Sequence, residues 1–332
     1  MSYSNLFFYS SIISKFDKNF SLKIISNFNS FSIKHKTIVT IGTFDGVHIG
    51  HQKIIKQLVE TGQKEGLKSV ILTFFPHPRM VLQKDANIKL IHTINERSSI
   101  LENLGLDYLL IKKFTKAFSR LSAEDFVKQI LIDKLNVKKI IIGYDHRFGR
   151  NRNASIEELK AFGKTYNFEV EEISAQDIDD VAVSSTKIRK ALNEGSIVKA
   201  NSYLGHPFMV TGNVVKGKGL GKQLNFPTAN IYIEEAYKLI PKYGSYIVSS
   251  VIDGNTFFGM MNIGINPTVD GEKENIEIHF FNFNKDIYDK KIQINLLKRI
   301  RNEQKFESVE ELKKQLKKDK QTALNFIANK DA

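Results

Sequence analysis

Apolar runs alternate with helix-spaced apolar stripes along about the first 190 residues of the chain. The runs predict buried strands at residues 37–41, 68–75, 107–111, 138–143 and 168–173. Helix signals lie between them, namely the stripe of Ile54, Ile55 and Leu58, residues 95–104, the N-cap Ser122, and a capping box of Ser155 and Glu158. This alternation predicts a parallel α/β sheet whose functional residues lie at the carboxyl ends of its strands.

The pattern changes after Gly195. A short connection through Asn201 and Gly205 leads into consecutive strand-like segments at residues 208–215, 245–252, 257–263, 276–283 and 291–297. A hairpin turn is predicted at 253–255, and Ser308 with Glu311 is expected to cap a closing helix. These signals predict a small antiparallel β-barrel with one C-terminal helix. The predicted domains are residues 33–195 and 204–330, after an N-terminal extension in which recognisable structure begins near Ile33.

Composition narrows the class of protein. The chain has 332 residues, no cysteine and a formal net charge of +13. The absence of cysteine excludes disulfides, thiolate metal sites and cysteine nucleophiles, and it fits a cytoplasmic protein. The positive charge is mostly dispersed lysine, which favours a solvated surface that steers polyphosphates and not a nucleic-acid site. No apolar run approaches a membrane span. We expect small-molecule partners, neither membrane nor nucleic acid, and a possible weak self-association.

The segment after the first strand carries candidate phosphate chemistry. A tight loop with Gly42, Phe44, Asp45 and Gly46 leads into a helix start where Gly50 lies between His48 and His51. Glycines allow backbone N–H groups to approach an anion, and a helix N-terminus favours negative charge. The two histidines are three residues apart and share a face. They therefore form a pair that can stabilise the charge released when a phosphoanhydride breaks.

A second helix start has similar character. Ser184, Ser185 and Thr186 offer hydroxyl and backbone N–H groups, and Arg189 follows one turn later. Taken alone, the hydroxyl residues are equally explained as a simple N-cap. With the histidine segment, they favour a nucleotide polyphosphate held between two helix N-termini.

The C-terminal half carries a third candidate. A loop contains Gly217, Gly219 and Gly221 together with the lysines Lys218 and Lys222, a composition that suits phosphate but also occurs in ordinary hairpins. Beyond it, Thr228 and Asn230 follow Pro227 on an extended segment and face the same way. A hydroxyl and an amide oxygen so placed are candidate Mg²⁺ ligands, although a plain turn is the alternative.

The N-terminal half resembles the FMN adenylyltransferase module of the bacterial bifunctional riboflavin kinase/FAD synthetase family. The resemblance covers about residues 36–192 and implies a Rossmann-like nucleotidyltransferase fold with an H-x-G-H signature, here residues 48–51. It implies that the histidine segment holds the ATP phosphates, that residues 184–189 close on the triphosphate, and that the nucleotide and flavin pockets are lined by Pro76, His77, Pro78, Asp145 and Phe148. His146 and residues 151–154 depart from the family pattern and affect the loop on the flavin side.

The C-terminal half resembles riboflavin kinase from Leu204 to about Leu316. The shared pieces are the glycine loop, the P-T-A-N segment at residues 227–230, the I-E-I-H strand at 276–279, and residues 300–306. The resemblance implies that Glu277 takes the proton from the riboflavin 5′-hydroxyl and that Arg301 lies by the flavin or phosphate. A glutamate that alternates with apolar residues can instead be a solvent-face residue.

Together the two resemblances imply a bifunctional enzyme that phosphorylates riboflavin to FMN and then transfers AMP from ATP to FMN, with ATP, riboflavin and FMN as substrates and Mg²⁺ as the required ion. Two alternatives remain. One is a riboflavin kinase with a weak or inactive adenylyltransferase module. The other is a nucleic-acid-binding protein, because the histidine signature also occurs in aminoacyl-tRNA synthetases.

Overall fold

The structure of the protein is a computed structural model. It describes residues 21–27, 31–83, 87–143, 147–150, 154–173, 183–217, 221, 224–268 and 271–331. The chain forms two compact units, one of residues up to 88 and 97–183, the other of residues 89–96 and from 184 onward. Among the described helices, none combines the length and apolar character that a membrane crossing requires. The predicted domain bounds, 33–195 and 204–330, stay a prediction.

A six-stranded parallel sheet forms the first unit. Its strands are β1 (Lys23–Ile25), β2 (Thr37–Ile41), β3 (Lys68–Phe75), β4 (Tyr108–Lys113), β5 (Val137–Gly143) and β6 (Glu169–Ile173), in the order β1-β4-β3-β2-β5-β6. Among the described residues up to 183, the helices are α1 (Ile49–Glu65), α2 (Pro78–Leu82), α3 (Ile94–Asn103), α4 (Ala123–Phe126) and α5 (Ile156–Tyr166), with a 3₁₀ turn at Phe118–Arg120 and a π-helical turn at Val127–Ile132. The predicted parallel α/β fold is confirmed.

Each face of this sheet covers its own apolar core. Val39, Val70 and Leu72 contribute to one core, and Ile38 and Ile71 contribute to the other. Neighbouring residues of β2 and β3 therefore point to opposite faces and are buried on both, which explains why these strands read as continuous apolar runs.

Strand β1 corrects the expectation that recognisable structure begins near Ile33. Its residues Lys23–Ile25 pair in parallel with Tyr108–Leu110 of β4 and extend the sheet by one edge strand. Only three residues pair, and the segment is mostly exposed. A strand this short has no detectable alternation, so the pairing partner decides its structure.

A closed six-stranded barrel forms the second unit. Its strands are β7 (Phe208–Val215), β8 (Ala229–Tyr232), β9 (Gly244–Ile252), β10 (Asn255–Thr268), β11 (Gly271–Phe280) and β12 (Lys291–Asn302), in the order β10-β11-β8-β7-β12-β9. The described helices that follow residue 183 are α6 (Ser185–Glu194), α7 (Ile197–Leu204) and α8 (Val309–Asp331). All barrel pairings are antiparallel, as predicted.

Two elements of this unit were missed. The segment read as a connection through Asn201 is helix α7, and β8 is a short strand between β7 and β11. Asn201 itself accounts for the misreading, because its side chain accepts from Phe208 N at 2.7 Å and donates to Leu296 O at 2.9 Å. Asn201, a residue type that is common in loops, thus joins α7 to the barrel.

The predicted local signals are confirmed. Ser122 and Ser155 cap α4 and α5, and Glu158 completes the reciprocal capping box. Ser308 Oγ accepts from Glu311 N at 3.2 Å at the start of α8. The β9–β10 hairpin turns through Asp253 and Gly254 at φ of 51° and 78°, the left-handed pair of a type I′ turn.

Candidate active sites

The loop between β2 and α1 is a strained turn that leads into the start of α1. Phe44, Gly46 and Val47 have φ of 46°, 88° and 40°. Left-handed backbone is costly for Phe and Val, so surrounding contacts must hold it. Val47 N donates to Phe44 O at 3.1 Å, and the buried amide of Gln52 donates to Val47 O at 2.8 Å. Gln52 is a residue whose role the sequence did not suggest.

His48 and His51 stand together at the first turn of α1. His48 is the N-cap, and its Nδ1 accepts from His51 N at 3.3 Å. The rings stack at a centroid separation of 3.6 Å with an interplanar angle of 16°, and Phe44 meets the edge of His51 at 5.1 Å. Because Nδ1 of His48 accepts, the proton of its neutral ring lies on Nε2, which is then available to donate.

Burial keeps both rings uncharged. It lowers the pKa of His48 to about 4, although the nearby Asp45 carboxylate opposes the shift. It also takes the pKa of His51 well below 6.5, and electrostatic interactions with His48 and Arg97 lower that pKa further. At neutral pH the pair therefore offers N–H donors and not full positive charges. His51 Nδ1 is buried and has no hydrogen-bond partner among the described residues.

The predicted glycines line the same turn. A Cβ on Gly42 would lie 3.0 Å from the Phe44 ring, and one on Gly50 would lie 3.4 Å from the His48 ring. Asp45 is 1% exposed. The structure thus brings all seven predicted residues of this segment into one loop and helix start.

A buried arginine supports this loop and was missed from the sequence. Arg97, on α3, donates from Nη1 to Thr43 O at 2.6 Å and to Thr73 Oγ1 at 3.2 Å. The Thr73 hydroxyl also donates to Thr43 O at 3.3 Å. Thr43 precedes the strained turn, so two side chains, Arg97 and Thr73, converge on the carbonyl that precedes it. Spacing along the sequence cannot reveal this, because the three residues come from separate elements.

The predicted pocket residues of this unit come from the segments that follow β3 and β5. Pro76 follows Phe75 through a cis peptide bond. His77 is the N-cap of α2, and its side chain accepts a hydrogen bond from Arg79 N at 3.2 Å. Pro78 is the first residue of α2. Phe148 is 6% exposed and its ring contacts Phe126 at 5.9 Å, within an apolar core. Asp145 and the departures at His146 and 151–153 lie outside the described residues.

The second predicted helix start belongs to the second compact unit. Ser184 caps α6 and accepts from Lys187 N at 3.2 Å, which matches the simple N-cap alternative. Ser185 is half-buried and Thr186 is exposed. Arg189 donates from Nε to Lys89 O at 3.1 Å. Their part in binding a triphosphate stays a prediction.

The barrel places a carboxylate beside the P-T-A-N segment. Glu277 lies on β11, opposite in orientation to the buried Ile276 and Ile278. Its Oε2 accepts from Thr228 Oγ1 at 3.2 Å, and its Oε1 accepts from Asn275 Nδ2 at 2.6 Å. Both oxygens are therefore held by neutral donors. Asn275 is a further residue that sequence reasoning missed, although its position two before Glu277 puts it on the same strand face.

The glycine loop and the P-T-A-N segment are adjacent. A Cβ on Gly217 would collide with the Asn230 amide, and one on Gly221 would collide with Phe226 O and lie 3.2 Å from Thr228 Oγ1. Asn230 pairs with Val215 on one side and Glu277 on the other. Lys218, Gly219 and Lys222 lie outside the described residues. These contacts explain why glycine is required at both described loop positions.

His279 fixes the other end of the segment. Its Nδ1 lies 2.9 Å from Pro227 O, so that nitrogen carries the proton. Burial lowers its pKa, against the effect of this hydrogen bond. The ring also meets the edge of Phe226 at 5.2 Å. His279 therefore supports the segment that carries Thr228.

Arg301 is engaged with the C-terminal helix. Its Nε lies 2.9 and 3.2 Å from the two carboxylate oxygens of Asp319, which is 1% exposed, and Gln315 also donates to Asp319 at 2.7 Å. The guanidinium lies 5.7 Å from the Phe306 ring. The contacts assign Arg301 to anchoring α8, and its predicted place beside the flavin stays a prediction.

Comparison with known proteins identifies both halves. Residues 30–187 match the family model described as FAD synthetase, and residues 204–327 match the one described as riboflavin kinase. The chain is 41% identical over 303 residues to the bifunctional riboflavin kinase/FMN adenylyltransferase of Buchnera aphidicola from Schizaphis graminum, covering 90% of this chain and 96% of that protein. It is 36% identical over 291 residues to the bifunctional riboflavin kinase/FMN adenylyltransferase of Escherichia coli K12, covering 87% and 92%.

A solved structure shares the fold along nearly the whole chain. A crystal structure from Streptococcus pneumoniae, described as a macrolide-efflux protein, covers 92% of this chain and 99% of that chain, with a TM-score of 0.82 and 31% identity. The efflux description concerns that protein. For this chain, the likeness adds the two-part fold.

Proposed function

Because the chain belongs to the family of bifunctional riboflavin kinases/FMN adenylyltransferases, with a domain for each activity, we propose specific residues for the two reactions. The enzyme phosphorylates riboflavin to FMN in its C-terminal half and transfers AMP from ATP to FMN in its N-terminal half. Both family domains are present, and no observation favours a kinase with an inactive second module. The residue roles below are our assignment.

In adenylyl transfer, a phosphate oxygen of FMN attacks the α-phosphorus of ATP, and the bond to the β-phosphate oxygen breaks to release pyrophosphate. The loop of residues 42–47 and the start of α1 bind the phosphates through backbone N–H groups. His48 donates from Nε2 to a phosphate oxygen, and His51 stacks against it as the second donor. Hydrogen bonds that strengthen as charge builds on the leaving pyrophosphate lower the barrier. Ser184, Ser185, Thr186 and Arg189 form the second group of phosphate ligands.

In the kinase half, the riboflavin 5′-oxygen attacks the γ-phosphorus of ATP, the bond to the ADP oxygen breaks, and Glu277 receives the hydroxyl proton. Thr228 and Asn275 hold the two carboxylate oxygens, so the base is oriented before substrate binds. Gly217 and Gly221 let the phosphate loop lie against Thr228 and Asn230.

The donors present fit Mg²⁺. Thr228 and Asn230 supply a hydroxyl and an amide oxygen, hard ligands of the kind this ion accepts when phosphates and waters complete its shell. Among the described residues, no group of three or more His, Cys, Asp or Glu could hold a metal by itself. We therefore assign Thr228 and Asn230 to Mg²⁺–nucleotide binding, in which the ion offsets phosphate charge. A cytoplasmic setting with small-molecule partners and no nucleic-acid partner completes the proposal.

The observation that carries these assignments is the pairing of Glu277 with Thr228 and Asn275 in one unit and the stacked histidines in the other. The test is chromatography of the full-length protein with riboflavin or FMN, ATP and Mg²⁺. Glu277→Gln keeps the side-chain size, removes the base and is expected to slow FMN formation by about 10²-fold. FMN supplied directly should still be converted to FAD.

His51→Ala is the matched variant for the other site. It should slow FAD formation by about 10²–10³-fold and leave FMN formation near normal. Equal loss of both activities in either variant would indicate misfolding, and normal activity in either would refute the role assigned to that residue.

A further inference from the structure

Arg97 is a charged side chain buried beside the adenylyl transfer loop. It is 2% exposed, and its Nη1 reaches both Thr43 O and Thr73 Oγ1. A buried guanidinium is costly to desolvate, so the fold retains it at a cost in stability unless its charge and hydrogen bonds serve the structure. One hydrogen bond reaches the Thr43 carbonyl directly, and the other reaches the Thr73 hydroxyl, which donates to the same carbonyl. This carbonyl precedes the left-handed residues Phe44, Gly46 and Val47.

The position of that carbonyl determines where the following N–H groups point. Successive residues share peptide planes, so a rotation of the Thr43 peptide redirects the Phe44 N–H and the start of the strained turn. Gln52 holds the far end of the turn through Val47 O. Arg97 with Thr73 holds the near end. The phosphate loop is therefore fixed at both ends by side chains from outside it.

The charge of Arg97 has a second consequence. Asp45 acts electrostatically on His48, and His48 and Arg97 both disfavour protonation of His51. Both imidazoles are neutral at neutral pH, whereas a guanidinium stays protonated throughout the working range. Arg97 thus contributes positive charge near the phosphate loop without any proton uptake.

We propose that Arg97 is a positioning residue of the adenylyl transfer site, which fixes the Thr43 carbonyl at the root of the phosphate loop and keeps a permanent positive charge beside the histidine pair. The proposal rests on the function assigned above to His48 and His51. Arg97 acts through the loop and the imidazoles, and no contact with a reacting atom is assigned to it.

The test compares Arg97→Gln, which removes the positive charge and the guanidinium group, with Arg97→Lys, which keeps the charge. Steady-state FAD formation from supplied FMN gives kcat and the KM for ATP, and riboflavin kinase activity in the same sample reports folding of the preparation. Arg97→Gln is expected to lower kcat by about 10²-fold, the scale of a misplaced catalytic group. Arg97→Lys should recover part of that loss.

Nuclear magnetic resonance titration of the His51 ring, assigned with His51→Gln, separates charge from packing. Removal of a nearby cation favours the protonated ring, so the pKa of His51 should rise in Arg97→Gln and stay near the wild-type value in Arg97→Lys. A purely structural role would not distinguish these two variants in this way. An unchanged His51 titration together with unchanged kcat in Arg97→Gln would overturn the proposal.

Thr73 provides a second, uncharged route to the same carbonyl. Thr73→Val removes the hydroxyl and should lower kcat for FAD formation by about tenfold without moving the His51 titration, while Thr73→Ser should remain near normal. If Arg97→Gln does not fold, the test uses the other two variants. A wild-type kcat for FAD formation in both Arg97→Lys and Thr73→Val would then refute the proposal. Normal FAD formation in His51→Ala would instead refute the underlying function.

Discussion

The ion pair of Lys238 and Glu96 offers the sharpest stability prediction. Nζ of Lys238 lies 2.6 Å from Glu96 Oε2, and the side chains are 0% and 1% exposed. The ammonium also donates to Ile91 O at 2.6 Å and Met209 O at 2.7 Å, and it lies 4.5 Å from the Phe208 ring. Three acceptors and a ring face therefore surround a cation that water does not reach.

The loss of one partner leaves the other charge buried. At 2.6 Å and an effective dielectric constant of about 20, the attraction is about 6 kcal/mol. Desolvation offsets part of it, so we expect Glu96→Gln to lower the free energy of unfolding by about 3–5 kcal/mol. In the wild type, Glu96 Oε2 accepts a hydrogen bond from Thr93 N at 2.9 Å, and the amide oxygen of Gln can still accept it. The loss of stability in Glu96→Gln therefore reports the loss of the charge. Lys238→Met should cost a similar amount.

The assay is calorimetry of the full chain together with riboflavin kinase activity after heating. A loss of 3–5 kcal/mol corresponds to a fall in Tm of about 6–20 °C for a unit of this size. The double variant Glu96→Gln/Lys238→Met removes both charges and should cost much less than the sum of the single variants. Additive effects, or single effects below about 1 kcal/mol, would refute the reasoning.

Three further predictions concern the two sites and the isolated barrel. Thr228→Ala should raise the KM for ATP in riboflavin phosphorylation about tenfold, and Asn275→Ala should lower kcat of that reaction by a similar factor. FMN adenylylation should be unchanged in both variants, and its loss would contradict the assignment. The pKa of His48 is about 4 in the folded chain and about 6.5 in the unfolded chain. As the pH falls, the unfolded chain therefore binds the proton first. The free energy of unfolding should then decrease by about 3 kcal/mol between pH 6.5 and pH 4. Denaturant titrations should show a flatter pH dependence in His48→Gln, and an identical slope would exclude burial of this ring as the cause. A fragment of residues 202–332 should make FMN and no FAD. Because this fragment lacks Glu96, Lys238→Met should raise its free energy of unfolding, whereas the same substitution should lower that of the full chain. A change of the same sign in both would contradict the prediction.

Local chemistry along the chain was sufficient for most of the secondary structure. Strands β2 and β3 and the hairpin at Asp253 were predicted because burial on both faces and left-handed turn residues leave local signatures. The capping residues Ser122 and Ser155 are similar cases. The histidine loop and the P-T-A-N segment were also visible, since each is a short continuous stretch whose residue types suit phosphate.

Contacts between distant residues were decided by the tertiary structure alone. Arg97 reaches Thr43, and Lys238 reaches Glu96 across 142 positions of sequence. No pattern along the chain marks either pair, because a buried charge looks like a surface charge until its surroundings are known. The pKa of the histidines belongs to the same class, since desolvation depends on what covers the rings. Sequence thus determined which groups are present and their local conformation, while packing determined which of them are charged, oriented and held.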